Sequence, residues 1–250
     1  MTSLARRVEL FVLQHAKVIL VPSAAIEEKI CKEFPIDPTK VHVVKDGPSS
    51  LIMHHIQDKE KGAHIRHDLG IPKQHKVIIY TGFINNIAGI EVLLEATKLL
   101  TAYRNDFSVI IIGFPKIEEY VALAGKLGIS EIVKFIGKVD YFEISDYLDC
   151  ADIAVAPKIS EAEGNSKIIT YFAAGLPVVC FDTSTNREIA WDLALYAKEK
   201  TAPAFAETLE QAIGNLRELR EASKARKEFV RTHYSWDGII KFVDESATHT

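Results

Sequence analysis

Short apolar runs alternate with longer amphipathic segments between residues 76 and 181. The apolar runs predict buried strands, because β-branched residues fill them and glycine or polar residues follow them. The segments between them carry apolar residues at helical spacing. This alternation predicts an α/β fold, a parallel sheet flanked by helices on both faces. The predicted strands are residues 77–80, 107–112, 133–136, 153–155 and 177–181, and the predicted helices are residues 89–100, 117–127, 144–150 and 168–174.

The regions outside this pattern predict smaller units. Residues 1–48 have the order α-β-α-β, which is too little for a stable sheet domain by itself. Residues 49–75 are polar and predict an irregular linker, whereas residues 204–233 predict a charged, solvated helix. We therefore divide the chain into a partial N-terminal α/β segment (1–48), a linker (49–75), a main domain (76–232) and a C-terminal helix or tail (233–250).

Composition narrows the function classes only mildly. The chain is 48% hydrophobic, which supports a sizeable core, and its formal net charge of -4 gives no indication of nucleic-acid binding. No apolar run approaches the roughly 20 residues that a membrane helix needs. The N-terminus does not resemble a secretory signal, and we expect a cytoplasmic protein, with attachment to a membrane surface left open.

Histidines and cysteines give little indication of a metal site. A solvated linker explains His54, His55, His64 and His67 better than a metal site does, since a metal needs at least three well-placed ligands. Cys150 and Cys180 border predicted buried strands, which favours small core residues over reactive thiols. We expect no metal and no cofactor.

The strongest candidate site lies in residues 151–181, which read as strand, loop, helix and strand. In parallel sheets, ligands bind beyond the carboxyl ends of the strands, where this loop is expected. A helix N-terminus favours an anion, and a carboxylate in the loop can contact sugar hydroxyls. The loop therefore predicts a phosphate-and-sugar site that includes Glu163, Gly164, Asn165 and Ser166.

The order of these segments resembles the carboxyl half of the retaining GT-B glycosyltransferases of group 1 (family 4). The resemblance covers most of the chain and rests on six segments in the family's order. They are AKVILVPSAAIEEKI with KVHVVKDG, VIIYTG with GIEVLLEATKLL, VIIIGFP with LAGKLGI, VKFIGKV with YLDCADIAVAP, EGNSKIITYFAAGLPVV, and HYSWDGI. The resemblance implies a Rossmann-like domain that binds a nucleotide-sugar, with a remnant of the family's N-terminal domain before it.

The resemblance also implies roles for individual residues. Glu163 would be the catalytic carboxylate, with Lys167 supplying positive charge and Thr170 a hydroxyl for the ribose. The donor would be a UDP- or GDP-sugar, and its hexosyl group would pass to a hydroxyl acceptor with retention. The remaining substrate-binding positions would be Gly82, Gly113, Phe114 and Pro115 along the cleft, and Lys138 and Val139 beside the base.

Four positions depart from the family pattern. Phe83 and Ala88 stand where the family usually has basic residues, and Ala162 and Thr170 stand where it has carboxylates. These departures leave a second hypothesis open, a catalytically degenerate binding or interaction module. A split enzyme, in which a partner chain or a second copy supplies the acceptor domain, lies between the two. A sugar-nucleotide epimerase of the same fold is a third alternative.

Overall fold

A six-stranded parallel sheet forms the centre of the protein, and a two-stranded parallel sheet forms a smaller unit beside it. The computed structural model describes residues 3–45, 47–55, 57–160, 164–234 and 236–248. The large sheet has the order β5-β4-β3-β6-β7-β8, and the small sheet pairs β1 with β2. The strands are β1 (Ile19–Val21), β2 (Val41–Val43), β3 (Lys76–Phe83), β4 (Phe107–Phe114), β5 (Val133–Gly137), β6 (Ile153–Ala156), β7 (Val178–Phe181) and β8 (Leu195–Ala197).

Helices cover both faces of the large sheet, which confirms the predicted fold class. They are α1 (Ser3–His15), α2 (Ala24–Glu33), α3 (Ser50–Met53), α4 (Lys59–Asp68), α5 (Ile90–Leu100), α6 (Ile117–Leu127), α7 (Ile144–Asp149), α8 (Lys167–Ala173), α9 (Ser184–Ala190), α10 (Ala202–Gly214), α11 (Leu216–Glu221), α12 (Ser223–His233) and α13 (Trp236–Thr248). None of these helices is long and apolar enough to cross a membrane.

The alternation of side chains along β3 shows why the sheet is covered on both faces. Ile78 and Tyr80 point into a core formed with α5 and α10, whereas Val77 and Ile79 point into a second core formed with α8 and α12. Because successive side chains of a strand face opposite sides, a fully apolar strand requires a buried position in the sheet. Cys150 and Cys180 lie in the second core, as predicted, and burial raises the pKa of each thiol to about 12.

The smaller unit combines the beginning of the chain with the last helix. The order α1, β1, α2, β2 appears as predicted, and Ser23 caps α2 through the backbone N–H of Ile26. Helix α13 returns to this unit, because the Trp236 indole donates to the Pro48 carbonyl at 2.9 Å. The rings of His42 and Phe242 lie 5.0 Å apart at the same contact.

The prediction that residues 49–75 are irregular is wrong, since this segment contains α3 and α4. Helix α4 has no apolar stripe, which is why its sequence resembles a linker. Its N-terminus is capped by the Asp58 carboxylate, which accepts from two backbone N–H groups at 3.0 Å. The Arg66 side chain fixes the other end, donating to the Cys150 carbonyl at 2.6 Å. The cap and the tertiary contact thus replace the missing apolar face.

Three further elements differ from the sequence-based prediction. Residues 204–233, predicted as a charged helical segment, contain most of α10 and all of α11 and α12, three separate helices. Helix α9 follows β7 where a polar turn is predicted, with Thr183 capping it by accepting from the Asn186 N–H. Strand β8 is three residues long and forms one edge of the sheet.

A buried carboxylate ties the amino edge of the large sheet together. Asp152 accepts from the Val77 N–H at 2.8 Å and from the Arg66 guanidinium at 3.0 Å. The Arg220 guanidinium donates to its other oxygen. Asp152 therefore links β3, α4 and α11 with both carboxylate oxygens in use.

Candidate functional site

A cleft of about 470 Å³ opens at the carboxyl ends of β3 and β6. It brings together six of the predicted site residues, namely Gly82, Gly164, Asn165, Ser166, Lys167 and Thr170. A larger crevice of about 660 Å³ lies at the opposite, amino edge of the sheet, around Arg66 and Asp152. Because ligands of parallel sheets bind at the carboxyl edge, the smaller cleft is the candidate site.

Tyr80 and the end of β3 form the floor of the cleft, and the buried Tyr171 is bonded to that end of β3. The Tyr171 hydroxyl accepts from the Thr81 N–H at 2.8 Å, and the Tyr80 hydroxyl donates to the Phe83 carbonyl at 2.6 Å. Burial raises the pKa of Tyr171 to about 12 and the pKa of Tyr80 further still, so both phenols stay protonated at neutral pH. Gly82 follows with a φ of 135°, a backbone conformation that favours glycine.

Lys167 places an ammonium group against this floor. Its Nζ lies 5.3 Å from the centroid of the Tyr80 ring, and a Cβ on Gly82 would lie 3.3 Å from its Cε. Burial, and secondarily the charge of Lys158, lowers the pKa of Lys167 to about 8. Lys158 comes two residues after the end of β6 and donates to the Gly164 carbonyl at 2.9 Å.

An asparagine pair holds the described part of the β6–α8 loop against the sheet. The Asn165 amide donates to the Ala156 carbonyl at 3.3 Å and to Asn186 Oδ1 at 3.1 Å. Asn186 in turn donates to the Phe181 carbonyl at 2.9 Å. Asn165 thereby connects the ends of β6 and β7, which fixes the start of α8 and with it the position of Lys167.

Comparison with known proteins identifies the family. The profile of the family described as "Glycosyl transferases group 1" matches residues 63–229, about two thirds of the chain. This chain belongs to that family. The matched range contains α5 to α11, the whole large sheet and every residue of the cleft except Ile52.

Two curated relatives are longer than this chain. It is 27% identical over 215 residues to a D-inositol 3-phosphate glycosyltransferase of Jonesia denitrificans, covering 82% of this chain and 50% of that protein. It is 24% identical over 226 residues to an uncharacterized glycosyltransferase of Methanocaldococcus jannaschii. That alignment covers 89% of this chain and 57% of that protein. The chain thus spans about half the length of the curated relatives it matches.

Solved structures show the same fold at low sequence identity. A glycosyltransferase from Rickettsia africae ESF-5 aligns with a TM-score of 0.83 and 16% identity, over 100% of this chain and 69% of that chain. Anabaena Alr3699/HepE, in complex with UDP and glucose, aligns with a TM-score of 0.85 and 13% identity. The alignment covers 100% of this chain and 68% of that chain. These likenesses confirm the GT-B fold that the sequence predicts.

The other predicted site residues that the structure describes lie at the same edge of the sheet, outside the lining of the cleft. Gly113 pairs in register with Gly82, and a side chain there would collide with the Gly82 carbonyl, so strand packing accounts for this glycine. Phe114 contacts Phe83, with ring centroids 5.0 Å apart, and Pro115 follows it. Lys138 lies 5.5 Å from the Phe114 ring, while Val139 packs against the core. Glu163, the predicted catalytic residue, and Ala162 lie outside the described residues.

Sequence reasoning missed several residues of the cleft, above all Lys158. The signal for it was present, because Lys158 comes two residues after the end of β6, at the edge where ligands bind. Tyr80, Asn85 and Tyr141 also line the cleft, but their contribution depends on packing between distant segments.

Hydrogen bonds and ion pairs within the chain account for a cluster of three possible metal ligands. His55, Asp146 and Asp149 approach one another beside α4 and α7. Asp149 already accepts from the His55 ring and from the Asp58 N–H, both at 2.7 Å, and Asp146 pairs with Lys61 at 3.2 Å. These contacts fix α4 on α7 and need no ion.

Proposed function

We propose that this group 1 chain binds a nucleotide-sugar in the cleft at β3 and β6 and takes part in retaining transfer of its hexosyl group to a hydroxyl acceptor. The observation that carries the proposal is the Lys167 ammonium, which lies in the cleft within the family-matched segment. No hydrogen bond or ion pair to this ammonium occurs within the described part of the chain. The UDP named in the Alr3699/HepE complex supports a UDP-sugar as the donor, and a GDP-sugar is the alternative.

The chemistry of the transfer requires two things from such a site. The diphosphate leaving group gains charge as the glycosidic bond breaks, so a fixed cation beside it stabilises the transition state. The anomeric carbon must also be held with little freedom, which a preformed cleft achieves. Lys167 would supply the fixed cation, and the loop held by Asn165 would restrict the position of the anomeric carbon. Glu163 stays the predicted catalytic carboxylate, and Thr170 would offer a hydroxyl to the ribose.

The acceptor side requires more polypeptide than the small unit provides. Its parallel sheet has only two strands, and parallel sheets are usually covered on both faces. Along α1, Leu4, Val8 and Phe11 are 71%, 56% and 61% exposed, and they share one helix face. We propose that a further α/β unit, from a partner chain or a second copy, packs here and binds the acceptor. The mass in solution tests the second copy, since a strictly monomeric protein would exclude it.

A binding module without transfer activity is the second candidate. It is favoured by Phe83, which is 64% exposed, and by Ala88, because neither side chain can stabilise a leaving diphosphate. A binding module would bind the nucleotide without transferring a sugar. Nucleotide titration followed by a hydrolysis assay therefore separates it from the glycosyltransferase.

Calorimetric titration with UDP, GDP and ADP tests the proposal. We expect UDP or GDP to bind with a Kd below about 1 mM, and binding weaker than that for both nucleotides would refute the donor site. Hydrolysis of the corresponding nucleotide-sugars then tests for transfer chemistry. Glu163→Ala should abolish turnover and keep nucleotide binding, whereas Glu161→Ala, the neighbouring carboxylate, should keep both. Binding without any hydrolysis by the unaltered protein would support the binding module.

A further inference from the structure

The larger crevice, at the amino edge of the sheet, has a surplus of positive charge. Its volume of about 660 Å³ is that of a small-molecule site. Among the lining residues that the structure describes, four are lysine or arginine and two are aspartate. The cations are Lys59, Arg66, Lys73 and Arg220, and the carboxylates are Asp149 and Asp152. The chain as a whole has a formal net charge of -4, so this crevice collects charge of the opposite sign.

Both carboxylates already serve partners within the chain. Asp152 accepts from two guanidinium groups of the crevice, those of Arg66 and Arg220, and is 4% exposed. Asp149 accepts from the His55 ring at 2.7 Å and is also 4% exposed. The two aspartates therefore stabilise the wall of the crevice and leave its lysines without a counter-ion.

Three cationic side chains of the crevice have donors to spare. Lys59 and Lys73 are exposed, and neither forms a hydrogen bond or an ion pair with any residue that the structure describes. Arg220 is 58% exposed and bonds to Asp152 through Nη2. A guanidinium has five N–H donors, so Arg220 can bind a ligand while it keeps Asp152.

A buried guanidinium behind the crevice wall adds to this charge. Arg226 is 1% exposed and donates to the Gly175 carbonyl at 3.0 Å and to the Leu219 carbonyl at 2.5 Å. No carboxylate pairs with it in the described part of the chain. Burial lowers the pKa of Arg226 to about 10, so it stays charged at neutral pH. Because Gly175 lines the crevice, this charge acts on the crevice through protein of low dielectric.

We propose that the amino-edge crevice is a second binding site, which takes a phosphate monoester of a small metabolite. A phosphate monoester carries a charge of about -1.5 to -2 at pH 7, which matches the two unpaired lysines. The Arg220 guanidinium and the Ser223 hydroxyl can donate hydrogen bonds to its oxygens. A bare phosphate would leave much of the volume unfilled, and Leu176 and Pro177 give the crevice an apolar wall for the organic group.

This site is separate from the cleft at the carboxyl edge. Helix α8 begins at Lys167, which lines the cleft, and the residues that follow its end, Ala174 and Gly175, line the crevice. The seven residues of α8 span roughly 10 Å. A ligand in the crevice and a nucleotide in the cleft can therefore be bound at the same time, and the inference does not depend on the proposed function.

Calorimetric titration with ribose 5-phosphate as the probe, and with ribose as its neutral control, tests the proposal. The unaltered protein should bind ribose 5-phosphate with a Kd below about 1 mM and ribose at least tenfold more weakly. Lys59→Met and Lys73→Met should each weaken ribose 5-phosphate binding about threefold, and the double variant at least tenfold. Both lysines are exposed, so these variants should fold. Lys116→Met is the matched control and should stay within twofold, because Lys116 lies at the opposite edge of the sheet, is 57% exposed and pairs with Glu119.

Competition shows where the phosphate is bound. Lys167→Met and saturating UDP should each leave ribose 5-phosphate binding within twofold, whereas a larger loss in either case would assign the phosphate to the cleft and overturn the inference. Unchanged binding in the double variant, or equal binding of ribose, would also refute it. Failure of both ribose 5-phosphate and inorganic phosphate to bind at about 10 mM would refute the crevice site, and UDP binding by the same protein would leave the proposed function intact.

Discussion

Replacing Lys167 by methionine should stabilise the fold while it weakens UDP binding. Burial lowers the pKa of Lys167 from 10.5 to about 8, so the folded protein bears a cost for keeping this lysine charged. Each pKa unit corresponds to about 1.4 kcal/mol, which gives about 3 kcal/mol before solvent screening. The side chain is half-buried, and screening reduces the expected gain to about 1–2 kcal/mol.

The pH dependence of this gain follows from the direction of the shift. Between about pH 8 and pH 10.5 the unfolded chain binds more protons than the folded one, so the stability of the unaltered protein rises with pH. The cost of the charged lysine is therefore full below pH 8 and absent above about pH 10.5. Lys167→Met should show its whole advantage at pH 7 and lose it as the pH rises to 10.5.

Urea unfolding at pH 7 and at pH 10 measures both effects. The midpoint should rise in Lys167→Met at an unchanged m-value, whereas Lys116→Met should stay within about 0.5 kcal/mol of the unaltered protein. Saturating UDP should then stabilise the unaltered protein more than the variant. A loss of 1 kcal/mol or more in Lys167→Met, or a gain that is equal at the two pH values, would refute the reasoning.

Two further predictions concern the framework of the site. Asp152→Ala leaves two guanidinium groups and a β3 backbone amide without their carboxylate. The free energy of unfolding measured by urea titration should therefore fall by about 3–5 kcal/mol. A loss below about 1 kcal/mol would show that solvent replaces Asp152. Gly89→Ala should cost about 2 kcal/mol or more, because Gly89 has a φ of 77° and an added Cβ would collide with the Pro157 carbonyl. Gly70→Ala, with a φ of 65° and open space around it, should cost only about 1 kcal/mol, and equal losses in the two variants would exclude the collision.

The large sheet could be predicted from sequence because its strands are buried on both faces. A run such as Val-Ile-Ile-Ile at residues 109–112 of β4 is apolar throughout, as expected of a strand buried on both faces. Helix α6 begins and ends where the sequence predicts, since Gly128 follows it with a φ of 70°. Strand β8 escaped prediction because three residues at a sheet edge carry too little apolar pattern.

The sequence predicts where the candidate site lies better than it predicts which charged side chains meet there. The carboxyl ends of β3 and β6 follow from the alternation of strands and helices, and the family pattern indicates the loop before α8. The balance of charge in the cleft depends on which side chains converge from distant segments, and a sequence does not show this. Lys158 and Tyr80 lie 78 positions apart in the chain and meet only because β6 pairs with β3.

The return of α13 to the small unit has a consequence for synthesis on the ribosome. Roughly 190 residues separate β2 from the Trp236 indole that bonds to the Pro48 carbonyl. At about 5–20 residues per second, β1 and β2 wait on the order of 10–40 s for the helix that packs against their unit. The large-sheet domain can fold during that interval, while His42 still lacks its ring contact with Phe242. The packing of the small unit is therefore completed only after the large sheet has been synthesised.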